Sequence, residues 1–129
     1  MPRTVDDLLR EARAILERIT PEQASAELDG GALLIDVRTE TQRATNGGIP
    51  GAVPIGLNVL EWRLDPASEW RIQQATDHDV RVIVCCQEGY SSSLAAARLQ
   101  SLGLHRATDV IGGFEAWRDA GLPVESIHP

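Results

Sequence analysis

The stretch Arg81-Val82-Ile83-Val84-Cys85-Cys86-Gln87-Glu88-Gly89-Tyr90-Ser91-Ser92-Ser93-Leu94-Ala95-Ala96-Ala97 joins a short branched apolar run to a helical pattern through a polar turn. Residues 81–85 are too few for a helix, and their unbroken apolar character fits a strand buried on both faces. Downstream, three serines precede Leu94, Ala95, Ala96, Ala97, Leu99 and Leu102, and Gly103 follows. That order of cap, apolar face and stop predicts a helix over 91–102.

Outward from this unit the pattern recurs. Residues 32–37 form a second short apolar run after the Asp29-Gly30-Gly31 turn, and residues 107–111 a third, each expected to be a strand. Between the first two, Pro50 and Pro54 punctuate an apolar stretch, which suggests a loop entering a short strand near a sheet edge. Gly112-Gly113 turns into a short helix over 114–120. Upstream, Val5, Leu8, Leu9, Ala12, Ile15, Leu16 and Ile19 fall at helical spacing after Thr4, and Thr20-Pro21 starts another helix. Residues 58–79 read least clearly: Trp62, Leu64 and Trp70 suggest packing among loop signals. Strands alternating with helices predict an α/β fold with a parallel sheet covered on both faces, its functional groups beyond the carboxyl ends of the strands.

At 129 residues the chain suits one domain that needs neither disulfide nor metal. Its net charge of -7, with every one of the twelve basic residues an Arg, offers no basic run for nucleic acid or an anionic membrane. Absence of Lys excludes Schiff-base chemistry. The charged residues 1–20 lack the apolar core of a secretory signal, and no stretch approaches a membrane span, so a cytoplasmic protein is expected. Adjacent Cys85 and Cys86 cannot cross-link distant parts of the chain, which fits reduced thiols.

Cys86 ends a buried strand, a few residues before a helix. Unpaired amides of a helix's first turn, with further N–H groups turned inward by a tight loop at Gly89, stabilise an anion there. A thiolate or persulfide is such an anion, so the cradle can lower the Cys86 pKa without a cationic side chain. Cys85 could resolve a Cys86 persulfide or sulfenate, but a disulfide between neighbours strains the peptide between them and strand alternation turns the two side chains apart, so it is read as core. A buried, inert Cys86 is the competing reading, and the polar Gln87-Glu88-Gly89 weighs against it.

Several further motifs occur in order: Leu34-Ile35-Asp36-Val37-Arg38, Gly48-Ile49-Pro50-Gly51-Ala52, Ile83-Val84-Cys85-Cys86 with Gly89 and Ser92, Ile111-Gly112-Gly113-Phe114-Glu115-Ala116-Trp117, and Ala120-Gly121-Leu122-Pro123-Val124. Together they resemble a single-domain rhodanese over residues 19–124. The resemblance implies a rhodanese-like five-stranded parallel sheet flanked by helices on both faces. It divides the chain into an N-terminal helical extension over 1–18 and a rhodanese domain over 19–129. It also implies sulfur transfer through a Cys86 persulfide, from a small-molecule donor to a thiol or cyanide acceptor, with Gln87, Glu88, Gly89, Tyr90, Ser91 and Ser92 forming the substrate-binding loop.

Two departures bear on the donor. Ser91 stands where the family's loop often has a cation, and Gly48 replaces the usual His, so a persulfide or a protein donor gains weight over dianionic thiosulfate. Phosphatases on this fold end a longer loop in Arg, and Ser92 and Ser93 stand there instead, which argues against phosphate chemistry. A second class of function is a non-catalytic sulfur-carrier or protein-interaction module, with Cys86 loaded by another enzyme. His78, His105 and His128 lack zinc-ligand spacing with a Cys, and no cofactor is implied. Asp36 and Arg38 are expected to orient loops, the serines to cap the helix, and Trp62, Trp70 and Trp117 to pack in the core or at its rim. Tyr90 is expected at the loop crest, either touching the acceptor or shielding the sulfur.

Overall fold

The computed structural model describes residues 2–127; His128 lies outside them. Strands β1 (Leu33–Asp36), β2 (Val53–Pro54), β3 (Val82–Cys85) and β4 (Thr108–Asp109) form one parallel sheet in the order β2-β1-β3-β4. The helices are α1 (Val5–Ile15), α2 (Pro21–Asp29), α3 (Glu40–Asn46), α4 (Leu60–Leu64), α5 (Ser91–Ser101) and α6 (Gly113–Asp119), with a 3-10 turn at Leu57–Val59 before α4.

Among the described residues the expected fifth strand is not formed. Its place beside β4 is held by a single parallel bridge, Ile19 to Val110, in which Ile19 N–H donates to Asp109 O and Ile111 N–H to Ile19 O. Thr20 and Pro21 immediately begin α2, and a capping box in which Thr20 and Gln23 serve each other's backbone N–H leaves no room for a longer strand. Proline at the first helical turn has no N–H to donate to a ladder.

Side-chain alternation along the strands divides the interior. Ile35, Val82, Val84 and Cys86 face Leu60, Leu64, Ala95, Ala96 and Leu99 of α4 and α5. Leu34, Ile83 and Cys85 face the other way, onto Ala24 of α2 and Phe114 and Trp117 of α6. All four residues of β3 are buried, as its continuous apolar sequence requires. Helix α1 packs on α5 and buries Leu9 and Ala12, with Leu16 buried just after it, and among the described residues no helix is long and apolar enough to cross a membrane.

Two helices differ from expectation. α3 lies in a stretch to which the sequence assigned no element; Thr39 and Gln42 form its capping box, a local signal that a run without an apolar stripe concealed. α4 lies in the unclear segment, where its short length gives no periodicity to read. Trp62 and Trp70, expected to pack, are 58% and 63% exposed, whereas Trp117 is buried and donates its indole N–H to Pro123 O.

Candidate active site

β3 delivers Cys86 to the carboxyl edge of the sheet, and the chain crosses to α5 through Gln87, Glu88, Gly89 and Tyr90. The N-cap position of α5 falls on Tyr90, which makes no capping side-chain bond. The Cys86 sulfur occupies that role: Gly89 N–H donates to Sγ at 3.1 Å and Ser92 N–H at 3.4 Å. A helix whose first amides point at a sulfur favours its anionic form.

Burial pushes the Cys86 thiol up, but the hydroxyls of Ser92 and Ser91 and the amides of Ser92 and Gly89 outweigh it, and its pKa lies below the ordinary value. Ser92 has one hydroxyl proton and two claimants, because its Oγ also donates to Asp109 Oδ2 at 2.7 Å. Ser91, with no such bond, is the freer donor to sulfur. Cys85 behaves oppositely: burial first, then the negative charge of Asp36, drives its thiol far up, so it stays protonated among core side chains.

The loop cannot relax outward. Gly89 has φ of +90°, and a Cβ there would stand 2.7 Å from Gly112 N; a Cβ on Gly113 would stand 2.5 Å from Cys86 O. The Gly112-Gly113 turn thus presses on the back of the loop, and the first amides of α6 hold it, Phe114 N–H donating to Cys86 O and Glu115 N–H to Gln87 O. Gln87 turns its side chain away from the sulfur, accepting from Arg38 and donating to Glu115.

Three arginines brace this arrangement. Arg38 is buried, donates to both oxygens of Asp36 and to Gly47 O, and lies 3.9 Å over the Phe114 ring, in keeping with a loop-orienting role. Arg13 and Arg18 both donate to Gly89 O, at 2.8 and 3.0 Å. The two guanidiniums thus anchor the Gly89 carbonyl, which lies in the chain between the Gly89 and Ser92 amides that meet the sulfur. Arg18 also pairs with buried Asp109, which accepts from both Ser92 and Ser93. The serines therefore tie α5 to Asp109 rather than cap it, which corrects their expected role.

No sequence signal singled out Arg13, Arg18 or Asp109. Each acts on the loop only through contacts between segments far apart in the chain.

The site opens into a cavity of about 300 Å³ that Cys86, Gln87, Glu88, Tyr90 and Ser91 line together with Leu57. Glu88, Tyr90 and Ser91 are exposed, whereas Gly89 and Ser92 are buried beneath the rim. The loop residues therefore converge on one sulfur, the amides from below and the side chains of Glu88, Tyr90 and Ser91 around its mouth.

A parallel α/β sheet that presents an amide-held cysteine between strand and helix defines a cysteine-centred group-transfer fold. The rhodanese-like domain family model matches residues 20–120, and the chain belongs to that family. It is 37% identical over 111 residues to the thiosulfate sulfurtransferase GlpE of Actinobacillus succinogenes, covering 85% of this chain and 91% of that one. With the thiosulfate sulfurtransferase GlpE of Pseudomonas savastanoi it shares 38% over 112 residues, covering 87% and 95%. A solved Rhodopseudomonas palustris protein of unknown function, described as a possible tyrosine phosphatase, superposes with a TM-score of 0.87 at 32% identity over 97% of this chain and 96% of that one. The polysulfide-sulfur transferase of Wolinella succinogenes shares the fold at a TM-score of 0.75 and 23% identity, over 92% and 85% of the two chains.

Proposed function

We propose that this rhodanese-type sulfurtransferase carries sulfur as a persulfide on Cys86. The observation that supports this reading most directly is the pair of amides from Gly89 and Ser92 on the Cys86 sulfur. They stabilise a negative charge on the attacking thiolate and can follow that charge to the outer sulfur.

Thiosulfate, the donor in the names of the relatives, suits the first half-reaction. The Cys86 thiolate attacks the outer sulfur, the S–S bond of thiosulfate breaks, and sulfite leaves with the bonding pair. A thiol or cyanide then removes the outer sulfur and returns the thiolate. Gly89 and Ser92 amides hold the charge in both halves, while Glu88, Tyr90 and Ser91 frame the approach. Gln87 supports the loop through Arg38 and Glu115. Because the mechanism turns on a free thiol, a reducing cytoplasmic setting suits it. No guanidinium occupies the loop, so the phosphate fork of a tyrosine phosphatase has no counterpart at Ser91, Ser92 or Ser93.

Intact mass after incubation with thiosulfate tests the reading: one added sulfur, removable by reductant, is expected. Cys86→Ser should abolish the adduct and the transfer to cyanide, and Cys85→Ser should keep most of both. Equal losses in the two variants would overturn the assignment of Cys86.

A further inference from the structure

Of the twelve arginines in the sequence, Arg43 alone makes no side-chain hydrogen bond or ion pair among the described residues. Its Nε is buried without a partner. Buried donors are nearly always satisfied, so an orphan on a charged group calls for an acceptor. Arg43 sits in the last turn of α3, where the helix dipole tolerates a cation but supplies no acceptor for Nε.

Its position gives the orphan meaning. Arg43 lines a cavity of about 380 Å³ that shares Val37, Arg38, Thr39 and Leu57 with the cavity that Cys86 lines. The two therefore abut, with the sulfur in one and the unspent cation in the other. Arg38, between them, gives its donors to Asp36, Gly47 and Gln87. Glu40 also lines the second cavity but does not pair with Arg43.

From this juxtaposition we propose that the Arg43 cavity is an anion subsite that selects an acceptor thiol bearing a carboxylate several bonds from its sulfur. The inference rests on Cys86 being the sulfur carrier and names the acceptor class for that same site. In the discharge step the acceptor thiolate attacks the outer sulfur of the Cys86 persulfide. A new S–S bond forms as the bond to Cys86 breaks, the bonding pair leaves on Cys86 as thiolate, and the acceptor departs as a persulfide. Arg43 meets the distant carboxylate, which the acidic chain and Glu88 would otherwise repel. Thiosulfate, whose anionic oxygens lie only two bonds from the attacked sulfur, needs no second cavity and is held within that of Cys86.

The full chain is compared with Arg43→Gln and Arg43→Lys. In the first arm Cys86 reacts with two disulfides, anionic dithiobisnitrobenzoate and neutral dithiodipyridine, neither of which requires a persulfide. Arg43→Gln should slow the anionic reagent about tenfold and leave the neutral one unchanged, Arg43→Lys should recover much of the rate, and added salt should erode the native preference. In the second arm the persulfide is discharged by mercaptopropionate or mercaptoethanol. Arg43→Gln should raise KM for mercaptopropionate about tenfold with kcat unchanged, and leave mercaptoethanol and thiosulfate loading as they are. Equal effects on charged and neutral reagents, no effect at all, or an effect confined to thiosulfate would overturn the subsite. If Arg43→Gln does not fold, a native anionic-to-neutral rate ratio that is flat in salt overturns it. A positive first arm in a protein that never accepts sulfur leaves the anion subsite standing and removes the sulfur-carrier reading instead.

Discussion

Cys86 takes the place at the start of α5 that a Ser or Asp side chain ordinarily fills, so its charge state and the capping of that helix are one equilibrium. The thiolate form is favoured below the ordinary thiol range, and reactivity should rise with pH through that depressed value and then level off. Sign follows from the native state holding the anion: the cradle stabilises the fold above the unfolded thiol's pKa, and this contribution fades as pH falls through the lower native value. Ser91 carries a hydroxyl whose proton no carboxylate claims, so Ser91→Ala should move the alkylation midpoint of Cys86 upward while thermal unfolding stays within about 1 kcal/mol of native, as exposed positions usually do. Alkylation rate against pH measures the first and calorimetry the second; an unmoved midpoint would leave the amides and the Ser92 hydroxyl as the sources of the depression.

At the scale of elements, the loop's shape is imposed from outside it. Gly89 O receives two guanidiniums, Arg13 from α1 and Arg18 from the segment before α2. Arg13 also donates to Ser93 and lies 5.6 Å over the Tyr90 ring. Arg13→Gln with Arg18→Gln should therefore loosen the loop around the Gly89 carbonyl, raise the Cys86 titration, and slow persulfide formation at neutral pH about tenfold, less than the roughly 100-fold or more that outright loss of an aligned donor costs, because the Gly89 and Ser92 amides remain. Arg13→Lys should restore little, since a point charge cannot reproduce a guanidinium's spread of donors to Ser93 and Gly89. Stopped alkylation at several pH values, with far-UV spectra to check folding, tests this; a double variant with native titration removes the clamp from the argument. What the chain betrayed at this scale was whatever is local. The strand-turn-helix at Cys86, the caps at Thr4 and Thr20 and the glycine pair that opens α6 were legible because each is a contiguous pattern. α3 was hidden although Thr39 and Gln42 cap it, because its seven residues bury none and so leave no apolar stripe. Ser92 and Ser93 were misjudged because their partner, Asp109, is brought to them only by the pairing of β3 with β4.

Across the whole molecule, the part of the site that sequence reading could reach is the strand-borne sulfur and its amides, and the part it could not is the network around buried Asp109, which ties β4, α5 and Arg18 together. That network joins the N-terminal segment to the catalytic loop, although the family match begins only at residue 20. Leu9 and Ala12 are buried in α1, which packs on α5, and Leu16 just beyond it is buried in one cluster with Ala95, Ala96 and Leu99. If residues 1–18 were an appendage on a complete domain, weakening their packing would melt them first and leave the rest untouched. The contacts argue for one cooperative unit, because α1 shields the helix whose first amides hold the sulfur and Leu16 belongs to the same core cluster as Ile35, Val84 and Cys86. Leu16→Ala should then cost about 2–5 kcal/mol, the range for truncating a buried leucine, and shift one transition seen alike by calorimetry and by protection of Cys86 from alkylation. Two separated transitions, with Cys86 still slow to react after the first, would establish the N-terminal helix as an independent extension and confine the cooperative domain to the residues that follow it.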